Sequence, residues 1–166
     1  MMSILLPAIS CIAFVMNNNV TSPGQELDFW VGDWTCSGES YDAAGKTTQT
    51  QAKNTIKRSF DGHVIQENFT SPGLVGMSVS VYDPNNKLWR QTWVDNQGSY
   101  IALTGKVEDG NMTLTTLSRP KAPNAFSRMV FKNVKPDSFD WNWEGSQDGG
   151  KTWKLNWHLH YTRVKR

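Results

Sequence analysis

The stretch that decides the fold runs from residue 138 to residue 163 and reads SFDWNWEGSQDGGKTWKLNWHLHYTR. Large apolar side chains alternate with polar ones on both sides of a pair of glycines. Because successive side chains of a strand point to opposite faces, both halves predict a strand with one apolar face. Gly149 and Gly150 can adopt a positive φ, and Asp148 can cap the turn with its carboxylate. The stretch therefore predicts an antiparallel hairpin.

The turn of this hairpin also matches a motif known from enzymes. Residues 146–153 read SQDGGKTW and fit S-x-D-x-G-x-T-W, the Asp-box, which resembles the repeated motif of sialidases. Sialidase-type propellers consist of several repeated blades, whereas this sequence of 166 residues has one Asp-box and no internal period. We interpret the motif as a turn and not as an active-site element.

Outward from the hairpin, the rest of the sequence repeats the same pattern. From residue 26 onward, short runs of alternating polarity are separated by turn signals such as DG, SPG, DPNNK and NQG. No segment keeps a helical period for more than a turn or two. The pattern predicts an all-β fold, a single antiparallel up-and-down β-barrel of about 8–10 strands with a short N-terminal helical turn. A barrel leaves no exposed edge, and a two-sheet sandwich is the main alternative.

Several motifs carry a resemblance to a known group of proteins. Gly32-Asp33-Trp34 forms the G-x-W pattern of the calycin superfamily. Together with LDFWVGDW (27–34), YDPNNKLWRQTWVDNQG (82–98) and the DGGKTW and Tyr-x-Arg motifs near the end, it resembles a lipocalin-like bacterial domain family. More distantly, the sequence is similar to nitrobindin-like and fatty-acid-binding barrels. The resemblance implies a barrel whose first tryptophan packs across the closed end, and it implies no particular activity.

The N-terminal residues differ in composition from the remainder. The apolar run at residues 4–16 is typical of the core of a signal peptide and is too short to span a bilayer. No Lys or Arg precedes it and no small-x-small cleavage site follows it. We predict a leader at residues 1–25, a barrel domain at 26–166 and export to the periplasm or medium, with the cytoplasm as the alternative. The sequence leaves the oligomeric state open.

Charge excludes one class of partner. The net charge is +2, with 17 basic and 15 acidic residues spread along the chain. No basic block is present, so the sequence predicts no nucleic-acid partner. We also predict no stable membrane insertion of the barrel domain.

Alternation assigns one face of each strand to the interior, because a buried large apolar side chain contributes roughly 1.5–3 kcal/mol. The faces predicted to point inward comprise Ala52, Asn54, Ile56, Arg58 and Phe60; Ile65, Glu67 and Phe69; Met77, Val79 and Val81; Trp89, Gln91, Trp93 and Asp95; Phe139, Trp141 and Trp143; and Trp153, Leu155, Trp157, Leu159 and Tyr161. The strand at residues 125–134 is ambiguous, since Arg128 lies on one face and Met129 and Phe131 lie on the other.

Several of these inward faces contain polar or charged side chains, which are costly to bury unless they are paired. Two interpretations remain open: a structural ion pair between Arg58 and Glu67, or a cavity in which polar groups orient a ligand. We predict binding of a small, partly hydrophobic molecule inside the barrel. The predicted ligand-binding residues are Asn54, Arg58, Glu67, Trp89, Gln91, Trp93, Arg128, Trp143 and Trp157.

Two other functions are kept as alternatives. Glu67 or Asp95 could transfer protons in an isomerase or cyclase, because carboxyls in an aromatic cavity have raised pKa values. His158 and His160 share a strand face and could hold haem or a metal, although the alternation places both outward. We predict no cofactor, and we interpret Cys36 as a buried structural thiol and not as a nucleophile.

Overall fold

The computed structural model of the protein describes residues 22–165. A 3₁₀ turn at Asp28–Trp30 precedes ten strands. The strands are β1 (Gly32–Tyr41), β2 (Thr47–Ser59), β3 (Val64–Ser71), β4 (Leu74–Asp83), β5 (Leu88–Asp95), β6 (Tyr100–Glu108), β7 (Asn111–Thr116), β8 (Phe126–Lys135), β9 (Ser138–Ser146) and β10 (Lys154–Arg163). Within the described part of the chain, no helix is long and apolar enough to cross a membrane. The predicted leader falls almost wholly outside the described residues, so it and the domain boundary stay predictions.

The ten strands form one closed barrel. Each strand pairs antiparallel with the next, and β10 returns to pair with β1, where Trp34 lies opposite Arg163 and Cys36 lies opposite Tyr161. Closure gives every strand two neighbours and leaves no free edge. The prediction of an up-and-down barrel is confirmed, and the sandwich alternative is wrong.

The segment that precedes β1 covers one end of the barrel, which we call the closed end. Leu27 and Trp30 are fully buried there, and the indole N–H of Trp34 donates to the Trp30 carbonyl at 2.8 Å. Arg163 donates to the carbonyls of Val31 and Phe29 at 2.9 and 3.0 Å, and its guanidinium lies 4.1 Å from the centre of the Trp34 ring. These contacts fix the segment across the strand ends.

The alternation predicted for β10 holds over only part of that strand. Leu159 and Tyr161 are buried and, with Trp157, face the interior. A bulge lies between Leu155 and Trp157, and Leu155 pairs with Glu144 of the outward face. Trp153 stacks outside against Arg128, 4.1 Å from the guanidinium carbon to the ring centre. The inward assignment of Trp153 and Leu155 is therefore wrong, because the bulge shifts the register by one residue.

The face assigned to β4 is also wrong. Val79 and Val81 are 40% and 39% exposed, whereas Ser78 and Ser80 are fully buried. The serines face inward because they hydrogen-bond with buried polar groups of the neighbouring strands. Leaving those buried polar groups without hydrogen-bond partners would cost more free energy than burying the valines would gain.

Phe60 is a further residue that the alternation wrongly places inside. It follows the last residue of β2, has a φ of 50° and is mostly exposed. Because the turn to β3 begins at this residue, its side chain no longer follows the alternation of the strand.

The Asp-box forms the β9–β10 turn that the sequence predicts. Asp148 accepts hydrogen bonds from the backbone N–H groups of Lys151 and Thr152, both at 3.0 Å, and from the Thr152 hydroxyl at 2.6 Å. Gly149 and Gly150 have φ of 78° and 86°, values that favour glycine. The polar side chains of the motif thus hold the turn together.

Candidate functional site

The half of the barrel opposite the closed end contains a cavity of about 230 Å³. We call this half the open end. Five of the eight tryptophans of the chain line the cavity. The lining residues are Trp30, Glu67, Phe69, Leu74, Trp93, Asp95, Gln97, Ile101, Leu103, Met129, Trp141, Trp143, Trp157, Leu159 and Tyr161. A mostly apolar wall with a few polar groups is typical of small-molecule sites.

Five rings form the sides of the cavity, and we call them the aromatic box: Phe69, Trp93, Trp141, Trp143 and Trp157. The planes of Trp141 and Trp143 are nearly parallel, with centres 6.3 Å apart. Trp157 stands at 88° to Trp141, and Phe69 stands at 89° to Trp157. The rings thus enclose the space from several directions.

Glu67 on β3 is the polar group in the deep part of the cavity. Its carboxyl accepts a hydrogen bond from Asn54 Nδ2 at 2.7 Å and another from Ser78 Oγ at 2.6 Å. Burial raises the pKa of Glu67 above its usual range, and the two donated hydrogen bonds oppose that rise. The group is therefore easier to protonate than an exposed glutamate and can hold or release a proton inside the cavity.

Tyr161 and Cys36 extend this network towards β1. Asn54 Nδ2 also donates to the Tyr161 hydroxyl at 3.2 Å, and the Tyr161 hydroxyl hydrogen-bonds with the Cys36 thiol. Burial raises the pKa of Cys36 to about 12. The thiol is consequently protonated at neutral pH and is a poor nucleophile, in keeping with a structural role.

Asp95 lies at the mouth of the cavity, where β5 ends. It accepts hydrogen bonds from the indole N–H of Trp93 at 2.9 Å and from the backbone N–H groups of Gln97 and Ser99 at 2.9 and 3.1 Å. These donors, Trp93 first, lower the pKa of Asp95 to about 2. The mouth therefore carries a permanent negative charge at neutral pH.

The two carboxyls are too far apart to share a proton. Gly76 pairs with both Phe69 and Asp95, so Asp95 and Phe69 lie at one height two strands apart. Glu67 lies two residues deeper on β3. With strands about 4.8 Å apart and a rise of about 3.4 Å per residue, the Cα atoms of Glu67 and Asp95 are on the order of 12 Å apart.

The structure brings together only some of the predicted site residues. Glu67, Trp93, Trp143 and Trp157 line the cavity. Asn54 is buried behind Glu67 and contacts it directly. These residues stay predictions as ligand contacts, but their positions are compatible with that role.

Two other predicted residues are buried away from the cavity. Gln91 donates to Ser80 at 3.0 Å inside the wall. Trp89 is 1% exposed at the closed end, where its indole N–H donates to Glu26 at 3.0 Å. Neither residue lines the cavity.

The two predicted arginines also lie elsewhere. Arg58 contacts Asp28 and donates to the Gly24 carbonyl at 3.2 Å, so it holds the closed end. The alternative interpretation of an ion pair between Arg58 and Glu67 is wrong, because Asn54 and Ser78 donate to Glu67 instead. Arg128 is on the outer surface, where it donates to Glu144 at 2.7 Å.

Both candidate haem ligands lie on the outer face of β10. Nδ1 of His158 is 2.9 Å from the Asn142 side-chain oxygen, and Nδ1 of His160 is 2.7 Å from Asp140. Neither imidazole reaches the interior, so neither can hold haem in the cavity. Within residues 22–165, no cluster of three or more His, Cys, Asp or Glu side chains is arranged to bind a metal ion.

Several residues that line the cavity were not predicted from the sequence as part of the site. The alternation assigns Trp141 and Tyr161 inward but gives them no role beyond the core. The alternation was not used to assign Ile101 and Leu103 on β6 to either face of the strand. Trp30 forms part of the cavity floor although it belongs to the helical turn before β1. Aromatic content alone could have flagged Trp141, whereas the role of Trp30 depends on how the segment folds over the barrel end.

A second, more polar depression lies beside the cavity mouth. It measures about 320 Å³ and shares Leu74 and Trp157 with the cavity. Its other lining residues carry hydroxyl or amide groups, apart from one proline: Ser40, Thr48, Gln49, Thr50, Gln51, Ser71 and Pro72. Leu74 and Trp157 therefore separate an apolar compartment from an uncharged polar one.

The fold and the site define a class: a calycin-like, ten-stranded closed barrel with an aromatic cavity at its open end. Residues 20–163 match the family described as "Protein of unknown function (DUF1579)", and the chain belongs to that family. No curated protein matches the chain by sequence.

Solved structures with a similar fold include two that align over most of this chain. The S-type phycobiliprotein lyase CPES from Guillardia theta aligns with a TM-score of 0.57 at 16% identity, over 86% of this chain and 94% of its own. Rv2717c from M. tuberculosis aligns with a TM-score of 0.57 at 10% identity, over 85% of this chain and 96% of its own. At such identities the similarity shows the fold alone.

Proposed function

We propose that this protein binds a small, largely apolar molecule in the cavity at the open end of its barrel. The observation that carries the proposal is the cavity of about 230 Å³ between the aromatic box and Glu67. A space of that size holds on the order of ten non-hydrogen atoms, given that a water molecule takes about 30 Å³. Apolar side chains would supply most of the contact, and the Glu67 network would orient a polar group of the ligand.

A pair of matched variants tests this proposal. Ile101→Phe adds volume inside the cavity, whereas Val79→Phe adds a ring on the exposed outer face of β4. Small aromatic and alicyclic compounds would be screened by ligand-observed NMR. We expect saturable binding to the wild type and to Val79→Phe, and at least roughly tenfold weaker binding to Ile101→Phe because the space is filled. Equal binding to all three proteins would contradict the proposal.

Proton transfer by Glu67 is a second candidate function. Burial of this carboxyl inside a cavity raises its pKa, which suits a general acid or base. The similarly folded CPES is named a lyase, which is compatible with catalysis in a barrel of this kind. Asp95 is a poor partner because its pKa is about 2 and it lies on the order of 12 Å away.

Hydrogen–deuterium exchange on a bound ligand separates catalysis from simple binding. A ligand with an acidic C–H group would be incubated with the protein in D₂O and followed by NMR. Catalysis predicts exchange with the wild type, none above background with Glu67→Gln, and normal exchange with Glu144→Gln, whose carboxyl lies outside the barrel beside Arg128. Exchange that survives in Glu67→Gln would remove this candidate.

A further inference from the structure

The charge of the cavity limits which molecules can enter it. Glu67 and Asp95 are the ionisable carboxyls among its lining residues, and none of the lining residues is Lys, Arg or His. An anionic ligand would lose its water next to acidic groups with no cation to receive it, which is unfavourable. The cavity is therefore unfavourable for ligands that carry a carboxylate, sulfate or phosphate group.

The aromatic box adds a second, independent preference. The face of an aromatic ring carries partial negative charge, and several rings at steep angles surround a cation favourably. Here Trp157 is nearly perpendicular to both Trp141 and Phe69, with ring centres 5.4 and 5.8 Å apart. Trp93 continues the wall next to Phe69, 6.2 Å away. An enclosure of this kind suits an alkylammonium group.

Asp95 and Trp93 act as one unit at the mouth. The Trp93 indole N–H donates to Asp95 at 2.9 Å, so the carboxylate fixes the orientation of a ring that is itself a wall of the box. The backbone N–H groups of Gln97 and Ser99 hold the same carboxylate in place. A fixed negative charge beside an aromatic wall attracts a cation from solution and keeps it there.

We propose that the cavity binds an organic cation, an alkylated or protonated amine on a small apolar body, with the ammonium group in the aromatic box near Asp95. This inference rests on the proposed function, because it names the ligand class of the same cavity. Glu67 would then contact the cation from the deep side or accept a hydrogen bond from a polar substituent.

Three compounds of nearly equal shape test the charge preference: phenyltrimethylammonium, tert-butylbenzene and benzenesulfonate. Their affinities for the wild-type protein would be measured by calorimetry and ligand-observed NMR in one low-salt buffer. We expect the cation to bind roughly tenfold or more tightly than the neutral compound, as a desolvated cation–π contact predicts. We expect no measurable binding of the anion.

Each of the other possible binding results contradicts a different part of the proposal. If tert-butylbenzene binds as tightly as the cation, the cavity binds apolar molecules but the inference of an organic cation is wrong. Tightest binding of benzenesulfonate would also overturn it. If none of the three compounds binds, both this inference and the proposed function fail.

A charge-matched pair of variants locates the effect. Asp95→Asn and Asp83→Asn each remove one carboxylate whose pKa is held at about 2. Asp83, however, is the last residue of β4 and accepts hydrogen bonds from Asn86 and Arg90 outside the cavity. Asp95→Asn should weaken phenyltrimethylammonium binding by roughly five- to tenfold. Asp83→Asn should leave that binding unchanged.

The neutral compound checks the integrity of the Asp95→Asn variant. The amide of this variant would keep one oxygen as an acceptor for the loop, and unchanged affinity for tert-butylbenzene would show that the cavity is intact. An equal loss of cation affinity in both variants would indicate a general charge effect and would contradict the placement of the ammonium group near Asp95.

Discussion

Aromatic rings fill the closed end of the barrel and surround the open end, and the burial of the rings differs between the two. At the closed end Trp34, Phe131 and Phe139 are 1% exposed or less. At the open end Trp93, Trp141, Trp143 and Trp157 are only partly buried, and all four line the cavity. The first set packs into a solid plug, whereas the second set leaves a space.

The polar groups also differ between the two ends of the barrel. At the closed end, the Trp34 indole N–H and the Arg163 guanidinium donate to backbone carbonyls of the covering segment. The carboxyls there, Glu26 and Asp28, are paired with Trp89 and Arg58. At the open end, the polar groups that line the space include two carboxyls, one of them buried and one at the mouth. One chemical type of side chain thus fills the core at one end and lines a cavity at the other. Substitutions at each end can test this division.

The largest expected effect is at the closed end. Trp34 is 1% exposed and contacts Phe139, Tyr161 and Arg163. Trp34→Ala should lower the free energy of unfolding by about 3–5 kcal/mol, the cost of a large buried cavity. Urea unfolding followed by circular dichroism would measure it. A loss below about 1 kcal/mol would show that the closed end is not the stabilising plug.

The attachment of the covering segment gives the next effect. Arg163 donates to Phe29, Val31 and Pro136 through several nitrogens of its guanidinium. Arg163→Ala should cost about 2 kcal/mol, since hydrogen bonds from a charged donor are worth more than neutral ones. Arg163→Lys should not restore the loss, because an ammonium cannot match the planar fork. Restoration by lysine, seen in the urea midpoint, would argue against this geometry.

The same type of substitution at the open end should have the opposite pattern. Trp143 lines the cavity and is only partly buried. Trp143→Ala should cost about 1 kcal/mol of stability but weaken ligand binding by roughly tenfold through loss of a wall of the box. Trp34→Ala, measured below its unfolding transition, is the control for binding. If Trp143→Ala costs as much stability as Trp34→Ala, the two ends do not differ as described.

The smallest expected effect is a change in how stability depends on pH, beginning at mildly acidic pH. Because burial raises the folded-state pKa of Glu67 above its unfolded value, its contribution is complete below about 4.5 and is lost as pH rises through the folded pKa. Glu67→Gln should remove this decline. Urea midpoints of the wild type and the variant, measured across a pH series, should diverge progressively as pH increases.

Glu144 provides a control of opposite sign. Burial alone would raise its pKa, but hydrogen bonds from Arg128 and Asn142 lower it overall. Its contribution is therefore present above the unfolded value and is lost as pH falls through the folded pKa. Glu144→Gln should lose stability mainly at neutral pH. Identical pH profiles for the two variants would contradict the assignment of Glu67 to the interior and Glu144 to the outer face.

Alternation in the sequence predicted the barrel and most of its interior. Ile65, Glu67 and Phe69 on β3 face inward as expected, because the side chains between them are polar ones that water can reach. The G-x-W pattern at Gly32–Trp34 also implied a tryptophan at the closed end, where Trp34 lies. Local periodicity was sufficient wherever the strand pairs regularly on both sides.

The errors on β4 and β10 have two physical causes. At Val79 and Val81, burial of Ser78 and Ser80 serves polar groups on other strands, which no window of β4 reveals. At Leu155, a bulge changes the pairing, and a one-residue slip reverses the faces.

The candidate site was harder to predict than the fold, because whether a side chain lines a cavity depends on its height in the barrel. Trp89 and Trp93 share one face of β5, yet Trp89 lies in the closed end and Trp93 in the aromatic box. Likewise, Arg58 follows Asn54 and Ile56 on one face of β2 but lies beyond the interior, against the covering segment. The height of a residue in the barrel depends on the strand register and on how the barrel closes. Neither can be derived from the alternation of side chains along one strand.

The most direct test of the central claim, that the aromatic rings of the open end surround a free space, is a crystal structure under xenon pressure. Apolar cavities in proteins take up xenon. We expect xenon density between Trp93, Trp141 and Trp157, and none among Trp34, Phe131 and Phe139 at the closed end. A xenon-free open end with its rings packed as tightly as those of the closed end would contradict the claim.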